Sequence, residues 1–335
     1  MPDQTSTAAP ERILRVLFVL LAGAAVLFLF LGRYPSLGFV SLEQLEQDKL
    51  AQQLVLNLRL PRLLASILLG MALSAAGSVF QMIFSNPLVE PGFLGVSQGA
   101  AFGAAFGIIF LSNSVWVVQA SAAGFAFLGL LLSYFLARRV RFGGWTLRLV
   151  LSGIAISALY ASGVGILKYL ADPLSQLQEI TFWLLGGLYA ITWAKLRSVA
   201  VVVLLSLYVL YRARWRLNLL ALSDETAFSL GIAPGRERAL LLTMATLATA
   251  AMVSVSGMVG WVGLIIPHIA RRIFGADTRY VLPASMLIGA MFTLICDTMG
   301  RTLLNGEIPL GILTSLIGAA IFILMMLMRG IRAQA

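Results

Sequence analysis

A serine and a histidine are the first residues of this sequence that suggest chemistry. Ser97 lies within GVSQG at positions 95–99, which matches the G-x-S-x-G pattern around the nucleophile of serine hydrolases. His268 is the one histidine of the chain. The pattern requires a strand, a sharp turn and a helix around the serine, and this region predicts no strand. We therefore expect Ser97 to be a small polar residue at the start of a helix. A hydrolase that pairs Ser97 with His268 is the alternative.

The sequence predicts no metal site and no bound cofactor on this chain. One histidine cannot build a zinc site, and no cluster of Cys, His and Asp surrounds it. The single cysteine, Cys296, excludes an internal disulfide framework. No Walker A sequence occurs, so we do not expect the chain to bind ATP through a P-loop.

Three arginines form a candidate site for carboxylates. Arg59 and Arg62 lie on either side of Pro61. Arg301 follows Asp297 by four residues, which places that pair on one face of a helix, where a local ion pair often forms. Charges near helix ends also extend towards water. Because guanidinium groups bind carboxylates through two parallel hydrogen bonds, the three arginines could equally receive acidic residues of a partner protein.

The stretch 86–99 separates two apolar runs and carries the strongest structural signal of the sequence. It reads NPLVEPGFLGVSQG, and its two prolines and three glycines cannot continue a regular helix. Within hydrocarbon, non-helical backbone persists only where protein or a water-filled path satisfies its polar groups. The stretch therefore indicates a permeation pathway. The residues just before it suit a mixed, adaptable surface, with ordinary helix packing as the alternative: Phe80, Gln81, Met82 and Phe84.

Composition places the chain in a membrane. Of its 335 residues, 60% are hydrophobic and 11% are charged, and the mean hydropathy is +0.94. Apolar stretches of transmembrane length recur from end to end. We predict an all-α polytopic integral membrane protein with about ten transmembrane helices. The predicted spans are 12–32, 61–84, 93–111, 115–137, 145–170, 181–211 (its helix starting near Ala194), 237–257, a short 259–274, 280–300 and 308–328.

Charge sets the predicted orientation. When the predicted spans are counted, most of the 24 lysines and arginines fall on the side of the N-terminus. Because cytoplasmic loops are enriched in these residues, we expect both termini in the cytoplasm. The same bias accounts for most of the net charge of +10, so a nucleic-acid partner is not required. We predict a disordered cytoplasmic tail over 1–11 and a single transmembrane domain over 12–332.

The longest predicted inner loop, 212–236, contains a short helix outside the bilayer. Ser223 is a candidate N-cap ahead of Asp224 and Glu225, and Gly231 is a candidate stop. A loop of this length between spans favours a docking role over a plain connector.

A faint internal repeat relates two helix breaks. Gly77 precedes Pro87 by the same number of positions as Gly257 precedes Pro267. The offset in spans reverses direction across the membrane, so the match suggests an inverted repeat of the kind common in transporters. Such small-residue matches also arise by chance in apolar sequence.

Longer blocks are more specific. They include LRLPRLLASILLGMALSAAGSVFQMIFSNPLVEPGFLGVSQGA, SGMVGWVGLIIPHIARRIFGADTRYVLP and CDTMGRTLLNGEIPLGILTSLIGA, with FWLLGG at 182–187 and ETAFSLGI at 225–232. From about residue 55 to 326 the chain resembles the FecCD-type permeases, which are the type II ABC importer permeases for iron chelates, haem, cobalamin and related metal compounds. Several blocks in one order are far more specific than any single motif.

The resemblance implies the type II ABC importer permease fold, with ten transmembrane helices per subunit, inverted-repeat-like halves and a homodimer. Two cytoplasmic ATP-binding subunits would hold ATP and Mg, and a periplasmic or lipid-anchored solute-binding protein would deliver the substrate. The resemblance assigns Arg59, Arg62 and Arg301 to salt bridges with acidic residues of that binding protein. It assigns 219–232 to helices that couple to the ATPase, with these candidate contacts: Leu222, Ser223, Asp224, Glu225, Ala227, Leu230 and Gly231.

The resemblance also places a cytoplasmic gate near Asn86, Pro87, Leu88 and Thr146, next to the candidate pathway residues Phe80, Gln81 and Phe84. The prediction is a non-enzymatic permease subunit that imports a metal chelate by alternating access across a bacterial or archaeal cytoplasmic (inner) membrane. Iron-siderophore is the expected cargo, and haem, cobalamin and molybdate-type oxyanions are the other candidates. The alternatives are an intramembrane serine hydrolase and an ion-coupled secondary transporter, although charge within the spans is sparse for the latter.

Overall fold

The computed structural model describes residues 5–34, 38–112 and 114–332, and almost all of this part of the chain is helical. A short antiparallel pair of strands follows the first helix. The elements of the first half are α1 (Thr5–Phe30), β1 (Leu31–Gly32), β2 (Gly38–Phe39), α2 (Leu42–Gln47), α3 (Lys49–Gln53), a π-helical turn (Leu54–Arg59), α4 (Leu60–Ile83), a 3₁₀ turn (Pro91–Leu94), α5 (Val96–Phe106), a second π-helical turn (Gly107–Leu111), α6 (Val115–Arg139) and α7 (Trp145–Leu170).

The second half alternates long and short helices. Its elements are α8 (Gln176–Leu185), α9 (Trp193–Arg212), α10 (Arg214–Leu220), α11 (Asp224–Ser229), α12 (Pro234–Ser256), α13 (Val262–Phe274), α14 (Thr278–Thr302) and α15 (Leu310–Arg332).

Eight helices of the described chain are long and apolar enough to cross a membrane. They cover eight of the ten predicted spans, and α9 begins at Trp193, next to the predicted start at Ala194. The predicted spans 93–111 and 259–274 correspond to shorter helices, Val96–Leu111 and α13. At about 1.5 Å per residue, neither reaches the roughly 30 Å of a hydrocarbon core. Both short helices therefore begin inside the bundle, after a break in the chain.

Helix α1 begins at Thr5, within the tail over 1–11 that the sequence predicts to be disordered, and that disorder stays a prediction. Glu11 and Arg15 lie one helical turn apart, and their side chains approach to 3.6 Å. Such a pair supports helix ahead of the apolar run. Residues 1–4 lie outside the described part of the chain.

Helix α4 is the centre of the bundle, because small residues let its neighbours approach closely. A Cβ on Gly70 would lie 2.1 Å from the carbonyl oxygen of Gly289 on α14, and one on Gly77 would lie 1.9 Å from that of Gly263 on α13. Neither position has room for a side chain. Packing between transmembrane helices depends on such close approach, since lipid provides no hydrophobic drive. Helix α1, by contrast, is almost entirely unburied along its span.

Candidate functional site

At one end of the bundle, Arg62 in the first turn of α4 lies between two carboxylates. Its Nε donates to both oxygens of Asp297 on α14, at 3.0 and 3.1 Å. Its Nη1 donates to both oxygens of Glu307, in the loop before α15, at 2.9 and 2.8 Å. The side chain of Asp297 is 4% exposed and that of Glu307 is 47% exposed. Arg62 therefore has one buried partner and one partner that faces solvent.

The other two predicted docking arginines bind the end of α1. Arg59 donates from Nη1 to the carbonyl oxygen of Phe30 at 3.2 Å. Arg301 donates from Nη1 to the carbonyl oxygen of Leu31 at 2.7 Å and from Nη2 to that of Phe28. The last carbonyls of a helix have no partner within it, and cationic side chains are favourable there. These two arginines hold α1 against α4 and α14.

The local pair expected from the spacing of Asp297 and Arg301 does not form. Asp297 accepts from Arg62, and Arg301 reaches across to α1. The sequence spacing places both residues on one face of α14, but partners from two other helices lie closer. All three arginines therefore gather at one end of the bundle, as predicted, and their role in docking a partner stays a prediction.

The opposite end of the bundle carries α11, and its predicted start and stop are confirmed. The Oγ of Ser223 accepts from the backbone N–H of Thr226 at 3.3 Å, and Gly231 follows the helix with a φ of +83°. A positive φ at this position favours glycine. Asp224 accepts two hydrogen bonds from Arg238 on α12, at 3.1 and 2.7 Å. This ion pair fixes the short helix to the transmembrane bundle.

Helix α11 presents apolar side chains to solvent. Phe228 is 71% exposed and Leu230 is 55% exposed, with Leu222 at 43% just before the helix. Ala227 is fully buried, so its predicted contact with a partner is wrong: it lies on the face of α11 that packs on the bundle. The remaining predicted contacts are exposed: Ser223, Asp224, Glu225 and Gly231.

The proposed pathway surface ahead of the 86–99 stretch is wrong for Phe80, Gln81 and Phe84, all of which are buried within the chain. Gln81 donates from Nε2 to the carbonyl oxygens of Gly263 and Leu264 at 3.3 and 3.0 Å. The rings of Phe80 and Phe84 pack together, with centroids 5.8 Å apart. Gln81 therefore joins α4 to α13, and the two rings belong to the buried core.

The predicted gate residues lie at the surface of the chain. Asn86, Pro87 and Leu88 are exposed, and the Oδ1 of Asn86 accepts from the backbone N–H of Leu88 at 2.9 Å. Thr146 is half-buried in the first turn of α7. The exposed position is compatible with a gate, which stays a prediction.

Ser97 borders a cavity of about 310 Å³, together with Glu90, Gln98, Ser157 and Thr249. His268 is not among the residues that line this cavity, so the geometry gives no support to a Ser97–His268 hydrolase. Ser97 lies in the first turn of α5, as expected for a small polar residue at a helix start.

Three residues of interest were not singled out from the sequence. Glu307 sits in a short loop whose approach to Arg62 depends on tertiary structure. Phe228 could have been found, since it is a large apolar residue in a short helix outside the predicted spans. Glu90 could also have been found as an ionisable residue within the break, because intramembrane carboxylates are rare and usually functional.

Comparison with known protein families identifies the family of the chain. A profile of the FecCD transport family matches residues 17–328. The chain belongs to the FecCD transport family.

Relatives in the FecCD family align over nearly the whole chain. The molybdate import system permease protein MolB of Haemophilus influenzae is 38% identical and covers 93% of this chain and 95% of that protein. The hemin transport system permease protein HmuU of Yersinia pestis is 37% identical, with coverages of 95% and 96%. The vitamin B12 import system permease protein BtuC of Vibrio cholerae is 36% identical, with coverages of 94% and 94%.

A solved structure, described as an inward-facing conformation of a metal-chelate type ABC transporter, is also similar to this FecCD family member. Its TM-score is 0.86 at 38% sequence identity, and the match covers 93% of this chain and 97% of that one. The predicted fold, a type II ABC importer permease, is therefore confirmed.

Proposed function

We propose that this chain is the membrane-spanning permease subunit of an ATP-binding-cassette importer for a metal chelate. The observation that carries the proposal is the FecCD family match over residues 17–328, with relatives of 36–38% identity that are import permeases along nearly their whole length. In this proposal the chain itself forms the pathway of the substrate across the membrane, and a separate subunit hydrolyses ATP.

The two ends of the bundle take different partners in this proposal. Helix α11, with Phe228 and Leu230 exposed, docks into a cytoplasmic ATPase, since exposed apolar side chains rimmed by polar ones suit a protein interface. The Arg62 end faces outwards and receives acidic residues of a solute-binding protein, because guanidinium groups pair well with carboxylates. Both termini are then cytoplasmic, and the membrane is the bacterial or archaeal inner membrane.

Transport proceeds by alternating access in a homodimer. ATP binding closes the two ATPase subunits, and α11 passes this motion through the Asp224–Arg238 ion pair to α12. The pathway runs between two copies of the chain, so that the delivery protein sets specificity. The proposed cargo is an iron-siderophore, with haem, cobalamin and molybdate-type oxyanions as the other members of the class carried by the relatives.

The test is affinity purification of the tagged chain from its native membrane in mild detergent, followed by mass spectrometry of the bound proteins and metals. We expect an ATP-binding subunit and a solute-binding protein, with the metal or chelate on the latter naming the cargo. The recovered complex is then reconstituted in liposomes, and uptake is measured with ATP and with an ATPase whose P-loop lysine is replaced.

Uptake that requires ATP and the intact ATPase would support the importer. Uptake by the chain alone, driven by an ion gradient without ATP, would overturn the proposal in favour of an ion-coupled carrier. Hydrolysis of a substrate by the wild-type chain that Ser97→Ala abolishes, with the complex intact, would instead favour an intramembrane hydrolase.

A further inference from the structure

A cavity of about 500 Å³ lies among α6, α8, α9 and α12, towards the end of the bundle that carries Arg62. Lys195, in the first turn of α9, borders this cavity. Trp193, the first residue of the same helix, donates from its indole Nε1 to the carbonyl oxygen of Leu56 at 3.0 Å, and Leu56 lies in the π-helical turn just before α4. The volume of the cavity lies within the range of about 300–1,000 Å³ that small-molecule sites occupy.

One wall of the cavity is built from backbone, where two chain reversals pack against each other. The N–H of Gly187, just after α8, donates to the carbonyl oxygen of Ser256, at the end of α12, at 2.7 Å. A Cβ on Gly257 would lie 2.2 Å from the carbonyl oxygen of Trp183. Because no side chain fits between the two reversals, the backbone itself sets the shape of this wall.

Two half-buried side chains of opposite charge line the cavity, Glu179 of α8 and Lys195 of α9. Within the described residues, neither the carboxylate nor the ammonium makes a hydrogen bond or an ion pair, and the two do not pair with each other. Charged groups away from bulk water are favourable only when they are paired. An occupant that carries both an anion and a cation would satisfy both side chains at once.

Hydrogen bonds fix the backbone that carries Lys195. Its N–H donates to Oγ1 of Thr192, which caps α9, at 3.4 Å, and its carbonyl oxygen accepts from Oγ of Ser198 at 2.7 Å. Nε2 of Gln119, another residue that lines the cavity, donates to the same Oγ of Ser198 at 2.9 Å and so connects α6 to α9. The N-terminus of α9 adds a partial positive charge beside the ammonium. This side of the cavity therefore favours an anion.

Aromatic residues place the cavity at the level of the lipid headgroups. Trp183 and Tyr189 line it, and Trp116 lies in the first turn of α6 beside it. Tryptophan and tyrosine are enriched where a membrane meets water. Val115 and Phe182, which also line the cavity, are 48% and 57% exposed, so an apolar edge opens at the surface of the chain. A charged cavity with an apolar edge at this level suits the headgroup of a lipid whose acyl chains follow that edge.

We propose that this cavity binds the headgroup of a zwitterionic phospholipid, with the phosphate at Lys195 and the ammonium at Glu179. The ligand chemistry is a phosphate joined to a primary ammonium, as in phosphatidylethanolamine. An anionic lipid without an ammonium group would leave Glu179 unpaired and bring a second negative charge towards it. The bound headgroup would bridge α8 and α9. This inference goes beyond the proposed function and does not depend on it, because it concerns the chain and its bilayer alone.

Native mass spectrometry of the delipidated full chain in detergent tests the site with phosphatidylethanolamine and phosphatidylglycerol of identical acyl chains. We expect the wild-type chain to bind phosphatidylethanolamine at least about fivefold more tightly, because only this lipid pairs with both charges. Glu179→Gln should remove the preference between the two lipids. Lys195→Gln should weaken phosphatidylethanolamine binding at least about fivefold, whereas Lys195→Arg keeps the positive charge and should keep the binding. The matched controls are Glu46→Gln and Lys49→Gln, which remove the same charges from the exposed segment between α1 and α4.

Equal affinities of the wild-type chain for the two lipids would overturn the proposal, as would effects of Glu179→Gln and Lys195→Gln no larger than those of their controls. A second probe needs no substitution and covers a variant that does not fold. It is N-acetyl-phosphatidylethanolamine, which lacks the ammonium group and should bind the wild-type chain at least about fivefold more weakly than phosphatidylethanolamine. Equal binding of these two lipids would also overturn the proposal.

Glycerophosphoethanolamine, which has the same headgroup without acyl chains, separates a lipid from a soluble zwitterion. We expect it not to displace phosphatidylethanolamine at equal concentration, because it cannot use the apolar edge of the cavity. Displacement at equal concentration would assign the site to a soluble zwitterion and overturn the lipid assignment. All these measurements use the chain without its partners. A failure of the proposed function would instead appear as the absence of an ATPase from the purified complex.

Discussion

Glu307 covers the solvent-facing edge of Arg62, through two hydrogen bonds of 2.9 and 2.8 Å to Nη1. A carboxylate from a binding protein would have to displace Glu307 to pair with that nitrogen. We therefore expect Glu307→Gln to raise the affinity of the binding protein about fivefold. This factor corresponds to ~1 kcal/mol, which is the upper end of the range for an exposed ion pair. Surface plasmon resonance with the recovered binding protein and the nanodisc-held complex measures the change.

Glu46→Gln is the matched control for this prediction, since Glu46 is an exposed carboxylate in the segment between α1 and α4 and its removal changes the net charge equally. It should raise the affinity much less than Glu307→Gln. Equal effects of the two variants would mean that long-range charge, and not competition at Arg62, controls docking. Weaker binding by Glu307→Gln would contradict the prediction and would show that Glu307 holds Arg62 in the position needed for docking.

The buried half of the same cluster predicts a stability effect. Arg62→Met leaves Asp297, whose side chain is 4% exposed, as a buried carboxylate without its main partner. Breaking a buried ion pair in this way costs about 3–5 kcal/mol. Arg62→Met should lower the thermal midpoint in detergent strongly, and the double variant Arg62→Met/Asp297→Asn should recover much of the loss. Additive effects of the two substitutions would show that the pair is not coupled.

The exposed face of α11 predicts a loss of ATPase docking without a loss of fold. Phe228 is 71% exposed in the isolated chain, so Phe228→Ser should leave the thermal midpoint unchanged. Recovery of the ATPase in the affinity purification should fall at least about tenfold, since central aromatic residues often dominate interfaces. Tyr169→Ser, at an aromatic residue of α7 that is 89% exposed, is the control. Full ATPase recovery with Phe228→Ser would count against docking through α11.

The helix crossing at Gly77 predicts opposite effects for two Gly→Ala changes. A Cβ at Gly77 would lie 1.9 Å from the carbonyl oxygen of Gly263, whereas one at Gly124 of α6 meets nothing within 4 Å. Gly77→Ala should force α4 and α13 apart and reduce the yield of folded protein. Gly124→Ala should be neutral or stabilise the helix by about 0.5–1 kcal/mol. Fluorescence-detected size-exclusion profiles and thermal midpoints compare the two; equal midpoints would contradict the close crossing.

A pH effect is expected at Asp277, which caps α14. Partial burial raises the pKa of this carboxyl, but hydrogen bonds from Arg279 and Asn218 outweigh it and hold the pKa below its ordinary value of 3.8. A carboxyl with a lowered pKa stabilises the folded state above its unfolded pKa, and this stabilisation is lost as the pH falls through the folded pKa. Asp277→Asn should therefore lower the thermal midpoint at pH 7 and flatten its decline below about pH 4. An identical decline in both proteins would contradict this role.

The sequence predicted features whose causes are local. The Ser223 cap and the Gly231 stop depend on residues within one helical turn, and both were confirmed. The long apolar helices follow from composition in the same way. The two short helices were also foreseen in outline, because proline and glycine disrupt a helix wherever it lies.

The side-chain partners within the site could not be predicted, because they join residues far apart in the chain. Arg62 and Asp297 are separated by 235 positions, and Arg301 and Leu31 by 270. The burial of Gln81 depends on where α13 enters the bundle, which helix periodicity does not specify. In membrane proteins an apolar residue suits lipid and core equally, so hydropathy does not distinguish the two faces.

The arginines that bind the end of α1 have a consequence for the order of assembly. Helix α1 is made before α4 and α14, yet the carbonyls at its end are held by Arg59, in the turn before α4, and by Arg301 of α14, which is made 270 residues after Leu31. A growing chain therefore inserts α1 long before Arg301 emerges, and until then the carbonyls of Phe28 and Leu31 lack the partner that Arg301 provides. Closing the bundle at this end is a late event of biogenesis, after α14 has entered the membrane.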